Sequence, residues 1–198
     1  MRSGIILAGG RSTRFGGGEK SLQPVNGRPM ICHVREALRP IVDEVILSVR
    51  DEGQRDRVFP FLSGSGDTFV YDELRDVGPL AGVLPALRAA RGEYVVIVAC
   101  DMPLVNPRAI ELLFERARGH DAAVPRDAGG YLEPLHAVYR REPMIRAVEQ
   151  ALRAGERRIA APLKHLKDVV YVPADEIRKV DPGLKTFLNV NRAEDLPR

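Results

Sequence analysis

Tyr94-Val95-Val96-Ile97-Val98 is an almost wholly apolar run of five residues. A run with no polar face needs cover on both sides, which is the situation of a strand at the centre of a parallel sheet. It continues into Ala99-Cys100-Asp101-Met102-Pro103, so an acid follows directly on the most hydrophobic strand of the chain. On either side of it, short β-branched runs alternate with segments of helical period. Ile5-Ile6-Leu7-Ala8, Val45-Ile46-Leu47-Ser48-Val49 and Phe69-Val70-Tyr71 read as strands. Met30, Ile31, Val34, Ala37, Leu38 and Ile41 repeat at three and four, as do Leu80, Val83, Leu84 and Leu87, then Ile110, Leu113, Phe114 and Ala117. These are amphipathic helices. Val58, Phe59, Phe61 and Leu62 suggest a short helix before Phe69. The alternation predicts a single α/β domain over residues 1–198, with a mostly parallel central sheet, right-handed crossovers and helices on both faces.

Beyond residue 120 the rhythm loosens. Ala122-Ala123-Val124 and Leu135-His136-Ala137-Val138-Tyr139 read as strands around the turn Asp127-Ala128-Gly129-Gly130. A helix carrying Ile145, Val148, Ala151 and Leu152 follows, and Val169–Val172 and Thr186–Leu188 are expected as late, short strands. There is no internal repeat, no low-complexity tract and no linker that forces a second domain.

The 198 residues are 44% hydrophobic and 29% charged, an ordinary globular composition. No apolar run reaches the roughly 18 residues that span a bilayer. The apolar start Ile5–Ala8 is too short for a signal-peptide core, so the chain reads as cytoplasmic, with no membrane partner. A net charge of +3 with 6% aromatics does not point to nucleic acid; basic charge facing a small polyanion fits as well. Cys32 and Cys100 are too few for a disulfide scaffold or a zinc site, and read as small buried thiols.

The stretch after the first strand carries the most chemistry: Leu7-Ala8-Gly9-Gly10-Arg11-Ser12-Thr13-Arg14-Phe15-Gly16-Gly17-Gly18-Glu19-Lys20. Glycines let backbone N–H groups come close to phosphates, and Arg11, Arg14 and Lys20 add positive charge. In an open parallel sheet, ligands bind beyond the carboxyl ends of the strands, where this stretch begins. Two commoner glycine motifs fail on detail. The NTPase phosphate loop ends in Gly-Lys-Ser/Thr, whereas Glu19 precedes Lys20-Ser21 and Arg14 replaces the loop's first glycine. The dinucleotide fingerprint lacks its third glycine, and Gly16 lies too far beyond the strand, which disfavours an NAD-dependent enzyme.

Asp101 is well placed to hold a divalent cation against phosphates. It precedes the helix that starts near Pro107 by too much to cap it; Asn106 is the better cap. Asp72, after Tyr71, is expected at the same sheet edge, where it could meet a base, a ribose or the metal. Gly78-Pro79-Leu80-Ala81-Gly82 flanks a helix start that a ligand can approach. His33 is assigned to the structure, and His136 is a candidate for lining an acceptor pocket.

Together these residues resemble the molybdenum cofactor guanylyltransferases. The carriers are Leu7-Ala8-Gly9-Gly10 through Glu19-Lys20, Asn26-Gly27-Arg28-Pro29-Met30 with His33-Val34, Gly78–Gly82, Cys100–Pro103, Gly155-Glu156-Arg157-Arg158-Ile159, and Phe187-Leu188-Asn189-Val190-Asn191. The opening is shared by many nucleotidyltransferases; the two late elements are narrower. One departure is Arg192-Ala193, where the family usually has Thr-Pro after the last Asn.

The resemblance implies a Rossmann-like nucleotidyltransferase fold with GTP as donor, Mg²⁺ as cofactor and molybdopterin as acceptor. It also implies transient contact with proteins that deliver or accept the cofactor. It puts the nucleotide on Leu7, Ala8, Gly9, Lys20, Ser48 and Asp72, with Ser48 standing where the family often has Asn. Asp101 would contact both nucleotide and Mg²⁺, and Lys20 and Asp101 would carry the catalysis. Gly82, Arg158, Asn189 and Asn191 would face the pterin. Transfer of a cytidylyl group to the same cofactor, and transfer to another phosphorylated acceptor, stay open. A GTP-binding protein without catalysis is disfavoured by the presence of Lys20 and Asp101.

Overall fold

In the computed structural model, which describes residues 1–9, 19–62, 66–72, 78–190 and 195, the chain alternates as its hydrophobic pattern dictates. Strand β1 (Arg2–Leu7) is followed by a small hairpin, β2 (Pro24–Val25) and β3 (Arg28–Pro29), which leads into helix α1 (Met30–Leu38). The hairpin turn is Asn26-Gly27, both at positive φ (50° and 77°), the conformation that a two-residue turn of this kind needs. Then come β4 (Glu44–Val49), α2 (Glu52–Val58), β5 (Thr68–Tyr71), α3 (Leu80–Ala89), β6 (Tyr94–Ala99) and α4 (Pro107–Ala117). The last third adds β7 (Ala122–Arg126), β8 (His136–Arg140), α5 (Arg141–Arg153), β9 (Val169–Pro173) and α6 (Ala174–Arg178).

Seven strands form one sheet in the order β5-β4-β1-β6-β8-β7-β9. Every neighbouring pair is parallel except the two that involve β8, which runs against both β6 and β7. Val95 to Val98 are fully buried in the middle strands, as a run without a polar face requires. Alternate residues serve opposite faces. Ile6, Leu47, Val96 and Val98 pack with residues of α1, α2, α4 and α6; Ile5, Leu7, Ile46, Val95 and Ile97 pack with α3 and α5. This is the mostly parallel α/β architecture, with helices on both faces, that the sequence predicts. Cys32 and Cys100 are buried and free. Asn106 caps α4, accepting from the Arg108 N–H at 2.9 Å. Among the described residues no helix is long and apolar enough to cross a membrane.

Two expectations are corrected. The short helix at residues 58–62 begins earlier, at Glu52, where Asp51 caps it by accepting from the Gln54 N–H at 2.7 Å; a 3₁₀ turn, Phe59–Phe61, continues it. The signal there is polar, so apolar periodicity does not see it. Thr186–Leu188 is not a strand. It forms a 3₁₀ turn over Lys185–Phe187 that packs against His136 of β8 and Asn106 at the start of α4, with its backbone held locally. Leu184 takes positive φ, and the Asp181 carboxylate accepts from the Thr186 N–H at 2.8 Å.

Candidate active site

Four parallel strands, β1, β4, β5 and β6, end at one edge of the sheet, and the residues that follow them converge there. The Ala8 and Gly9 N–H groups both donate to the Ser48 carbonyl, at 2.8 and 3.1 Å. Cys100 N–H donates to the Leu7 carbonyl at 3.0 Å, and Asp72 N–H to that of Val49 at 3.1 Å. Leu7, Ala8, Gly9, Ser48, Asp72 and Asp101 are thereby set side by side.

Gly82, in the first turn of α3, closes on this group from the side. A Cβ on Gly82 would collide with the Ser48 hydroxyl and stand 2.9 Å from Asp72 Oδ1; one on Gly9 would stand 3.0 Å from Asp72 Oδ2. Both glycines therefore mark close approaches that a side chain would fill. Ser48 is buried, and its hydroxyl faces Asp72 Oδ1 at 3.5 Å, a weak contact. Burial raises the Asp72 carboxyl above its ordinary range, with the Ser48 hydroxyl and Arg50 opposing. Among the described residues no side chain caps α3; its Ala81 and Gly82 N–H groups donate to the Gly78 and Pro79 carbonyls, at 3.1 and 3.2 Å.

Across the edge, Lys20 Nζ donates to Asp101 Oδ2 at 2.6 Å. The two side chains are each 21% exposed. Asp101 Oδ1 is buried with no hydrogen-bond partner among the described residues. Such an oxygen is a suitable donor for a hard divalent cation, and a single carboxylate fits Mg²⁺, which takes its other ligands from phosphates and water. Among the described residues no group of three or more His, Cys, Asp or Glu could hold a metal without such help. Beside Asp101, burial pushes the Cys100 thiol up to about 12, which leaves it an inert packing group.

The late elements reach the same rim. Val190 N–H donates to the Asp101 carbonyl at 2.8 Å, which sets the exposed Asn189 next to Asp101 in the chain's path. Asn191 lies outside the described residues, as do Gly10, Arg11 and Arg14. Arg158 is exposed on the turn that follows α5, and the Arg157 carbonyl lies 3.0 Å from where a Cβ on Gly78 would sit. The Gly155–Arg158 turn thus abuts the start of α3.

His136 does not line an open pocket. It is fully buried, with Nε2 2.9 Å from Thr186 Oγ1 and its ring edge-on to Phe187 at 5.0 Å. Burial drives its imidazole down to about 3, so it is neutral. His33 is structural as read: its Nε2 lies 2.8 Å from the Val25 carbonyl.

The sequence reading missed Gln54. This buried side chain donates from Nε2 to the Ala8 carbonyl (2.8 Å) and to Glu19 Oε2 (2.8 Å), and its Oε1 accepts from the Arg50 N–H (2.7 Å). Glu19 also accepts from Arg57 at 2.6 Å and Arg50 at 3.2 Å. The available signal was Asp51-x-x-Gln54, the spacing of an N-terminal capping pair.

A glycine-rich stretch after the first strand, with a lysine and a carboxylate meeting beyond the ends of parallel strands, defines a nucleotide-using α/β protein of the open-sheet type. The chain belongs to the MobA-like NTP transferase family, whose model matches residues 4–169. It is 46% identical over 199 residues to a "probable molybdenum cofactor guanylyltransferase" of Methanosarcina mazei, covering 99% of this chain and 88% of the relative. It is 38% identical over 184 residues to the molybdenum cofactor guanylyltransferase of Pseudomonas entomophila, covering 92% and 91%. Among solved structures, molybdopterin-guanine dinucleotide biosynthesis protein A of Archaeoglobus fulgidus superposes with a TM-score of 0.79 at 33% identity, covering 98% of this chain and 94% of that one.

Proposed function

We propose that this chain transfers GMP from GTP to the terminal phosphate of molybdopterin and releases pyrophosphate, forming the guanine dinucleotide cofactor. What supports the reading is the Lys20–Asp101 pair at the carboxyl edge of the sheet, in a chain whose relatives carry that activity in their names. The donor would lie on Leu7, Ala8 and Gly9, with Ser48 and Asp72 beneath it. The acceptor would meet Gly82, Arg158, Asn189 and Asn191.

In the transfer, an oxygen of the acceptor phosphate attacks the α-phosphorus of GTP. The bond from that phosphorus to the bridging oxygen of the β-phosphate breaks, and pyrophosphate leaves with the electron pair. Two anions must be brought together, so positive charge and alignment carry the catalysis. Lys20 supplies an ammonium at the phosphates, where it both aligns them and offsets their charge. Mg²⁺, held by Asp101, would neutralise charge on the triphosphate and on the leaving pyrophosphate. No base is needed, because a phosphate monoester loses its second proton at about pH 6. The neutral, buried His136 fits that economy.

A nucleotide panel tests the reading. Calorimetry with Mg²⁺ should rank GTP above ATP, CTP and UTP, and pyrophosphate should appear only when molybdopterin is added. Equal or tighter binding of CTP would overturn the guanine assignment.

A further inference from the structure

Ala8 and Glu19 flank the glycine-rich stretch in sequence, and one buried carboxamide touches both. The contacts of Gln54 leave little choice of residue at this position. Of its three polar neighbours among the described residues, the Ala8 carbonyl and the Glu19 carboxylate are acceptors, and the third, the Arg50 N–H, is a donor. A side chain that ends in two N–H donors and one acceptor is an amide. The same neighbours fix which end of the amide is nitrogen.

These bonds belong to a ring that closes through the candidate site. From Gln54 it runs to Glu19, along the chain to Lys20, and across to Asp101. From Cys100 it crosses by the N–H bond to the Leu7 carbonyl, passes to Ala8, and returns to Gln54. The guanidinium groups of Arg57 and Arg50 compensate the carboxylate of Glu19, whose side chain is only 10% exposed. Helix α2 holds Gln54 in place, because the Asp51 cap fixes its backbone N–H at 2.7 Å.

We propose that Gln54 is a positioning residue of the nucleotide site, fixing the end of β1 and Lys20 relative to one another. The inference rests on the reading that the donor lies on Leu7–Gly9 and Lys20. Its effect should appear in turnover, because a displacement of about an ångström in a reacting constellation can cost on the order of a hundredfold in rate.

The experiment uses the full chain with Gln54→Leu and Gln54→Glu. Pyrophosphate release from GTP with Mg²⁺ and molybdopterin is measured well below the lowest melting temperature, alongside thermal unfolding. In folded Gln54→Leu, kcat should fall on the order of a hundredfold. In Gln54→Glu the introduced carboxylate faces two acceptors at neutral pH. Its protonated form can donate one hydrogen bond, so this variant's kcat, relative to wild type, should recover as pH falls. A kcat for Gln54→Leu within a few-fold of wild type, with only the melting temperature lowered, overturns the positioning role. Should Gln54→Leu not fold, a pH profile of Gln54→Glu parallel to wild type overturns it equally. Wild-type protein that turns over no nucleotide overturns the functional reading and this inference with it. Wild-type turnover with unimpaired variants overturns this inference alone.

Discussion

Lys20 Nζ stands 2.6 Å from Asp101 Oδ2, so a cation that follows the first strand meets a carboxylate that follows the central one. The residues are 81 positions apart in sequence and are joined by the parallel pairing of β1 with β6, in register from Arg2↔Tyr94 to Leu7↔Ala99. The pair is semi-exposed, so its contribution to stability is small and its charge remains available to a ligand.

Lys20→Ala should therefore leave the melting temperature near that of the wild type and reduce turnover on the order of a hundredfold or more, the usual loss of one preorganised donor to a transferring phosphoryl group. Pyrophosphate release and thermal unfolding on one preparation check this. Turnover within a few-fold of wild type would remove Lys20 from the reaction.

Asp101→Asn keeps the shape and one oxygen but removes the charge that a divalent cation requires. The variant should fold, and its turnover should no longer respond to Mg²⁺ in a titration that saturates the wild type. A variant that is less stable but keeps Mg²⁺-dependent turnover would confine Asp101 to the turn after β6.

Gly82→Ala sets two effects against each other. Alanine within a helix gains about 1 kcal/mol over glycine. The added methyl would collide with the buried Ser48 hydroxyl and crowd Asp72, and overpacking of this kind costs about 1–3 kcal/mol. The collision should win: the melting temperature falls, and GTP affinity falls with it as Ser48 and Asp72 are displaced. A melting temperature above wild type, with unchanged affinity by calorimetry, would show that the approach of α3 to β4 is slack.

His136 should make stability depend on pH. Its imidazole titrates at about 3 in the fold against an ordinary 6.5, so between those values the unfolded chain binds a proton that the folded chain refuses. Stability is complete above about pH 6.5 and is lost as pH falls, at about 1.4 kcal/mol per pH unit from this group. In His136→Gln that component should vanish from denaturant-derived unfolding energies between about pH 6 and 4. Equal slopes in the two proteins would mean that the ring is protonated in place.

The parallel half of the fold was legible because its evidence is local. Val95 to Val98 are apolar on both faces, and Ile5, Ile6, Ile46 and Leu47 serve both cores in alternation. From such runs the shared edge follows, and with it the neighbourhood of Gly9, Asp72 and Asp101. The direction of β8 was not legible, since the apolar content of Leu135–Tyr139 marks a buried strand without saying which way it runs beside its neighbours. Gln54 escaped because it sits in a polar helix, Glu52–Val58, where the only apolar buried residue is Val58 and nothing periodic marks the polar side chain that turns inward with it. The tight fit of Gly82 depends on Ser48, 34 positions earlier, and only the assembled sheet brings them together.

The reversed strand β8 has a structural consequence of its own. Because it runs against β6, it begins where β6 ends, with His136 opposite Val98. The link between β7 and β8 is therefore a hairpin at the site's own edge, tied by Asp127, whose carboxylate accepts from the Tyr131 N–H at 2.8 Å, and tipped by Tyr131, 76% exposed. A parallel return would need a whole crossover helix to come back to the same place. Here residues 127–135 suffice, so the chain passes over the rim beside Asp101 and re-enters the sheet at once, with the Leu135 carbonyl accepting from the Ala99 N–H at 3.3 Å at the end of β6.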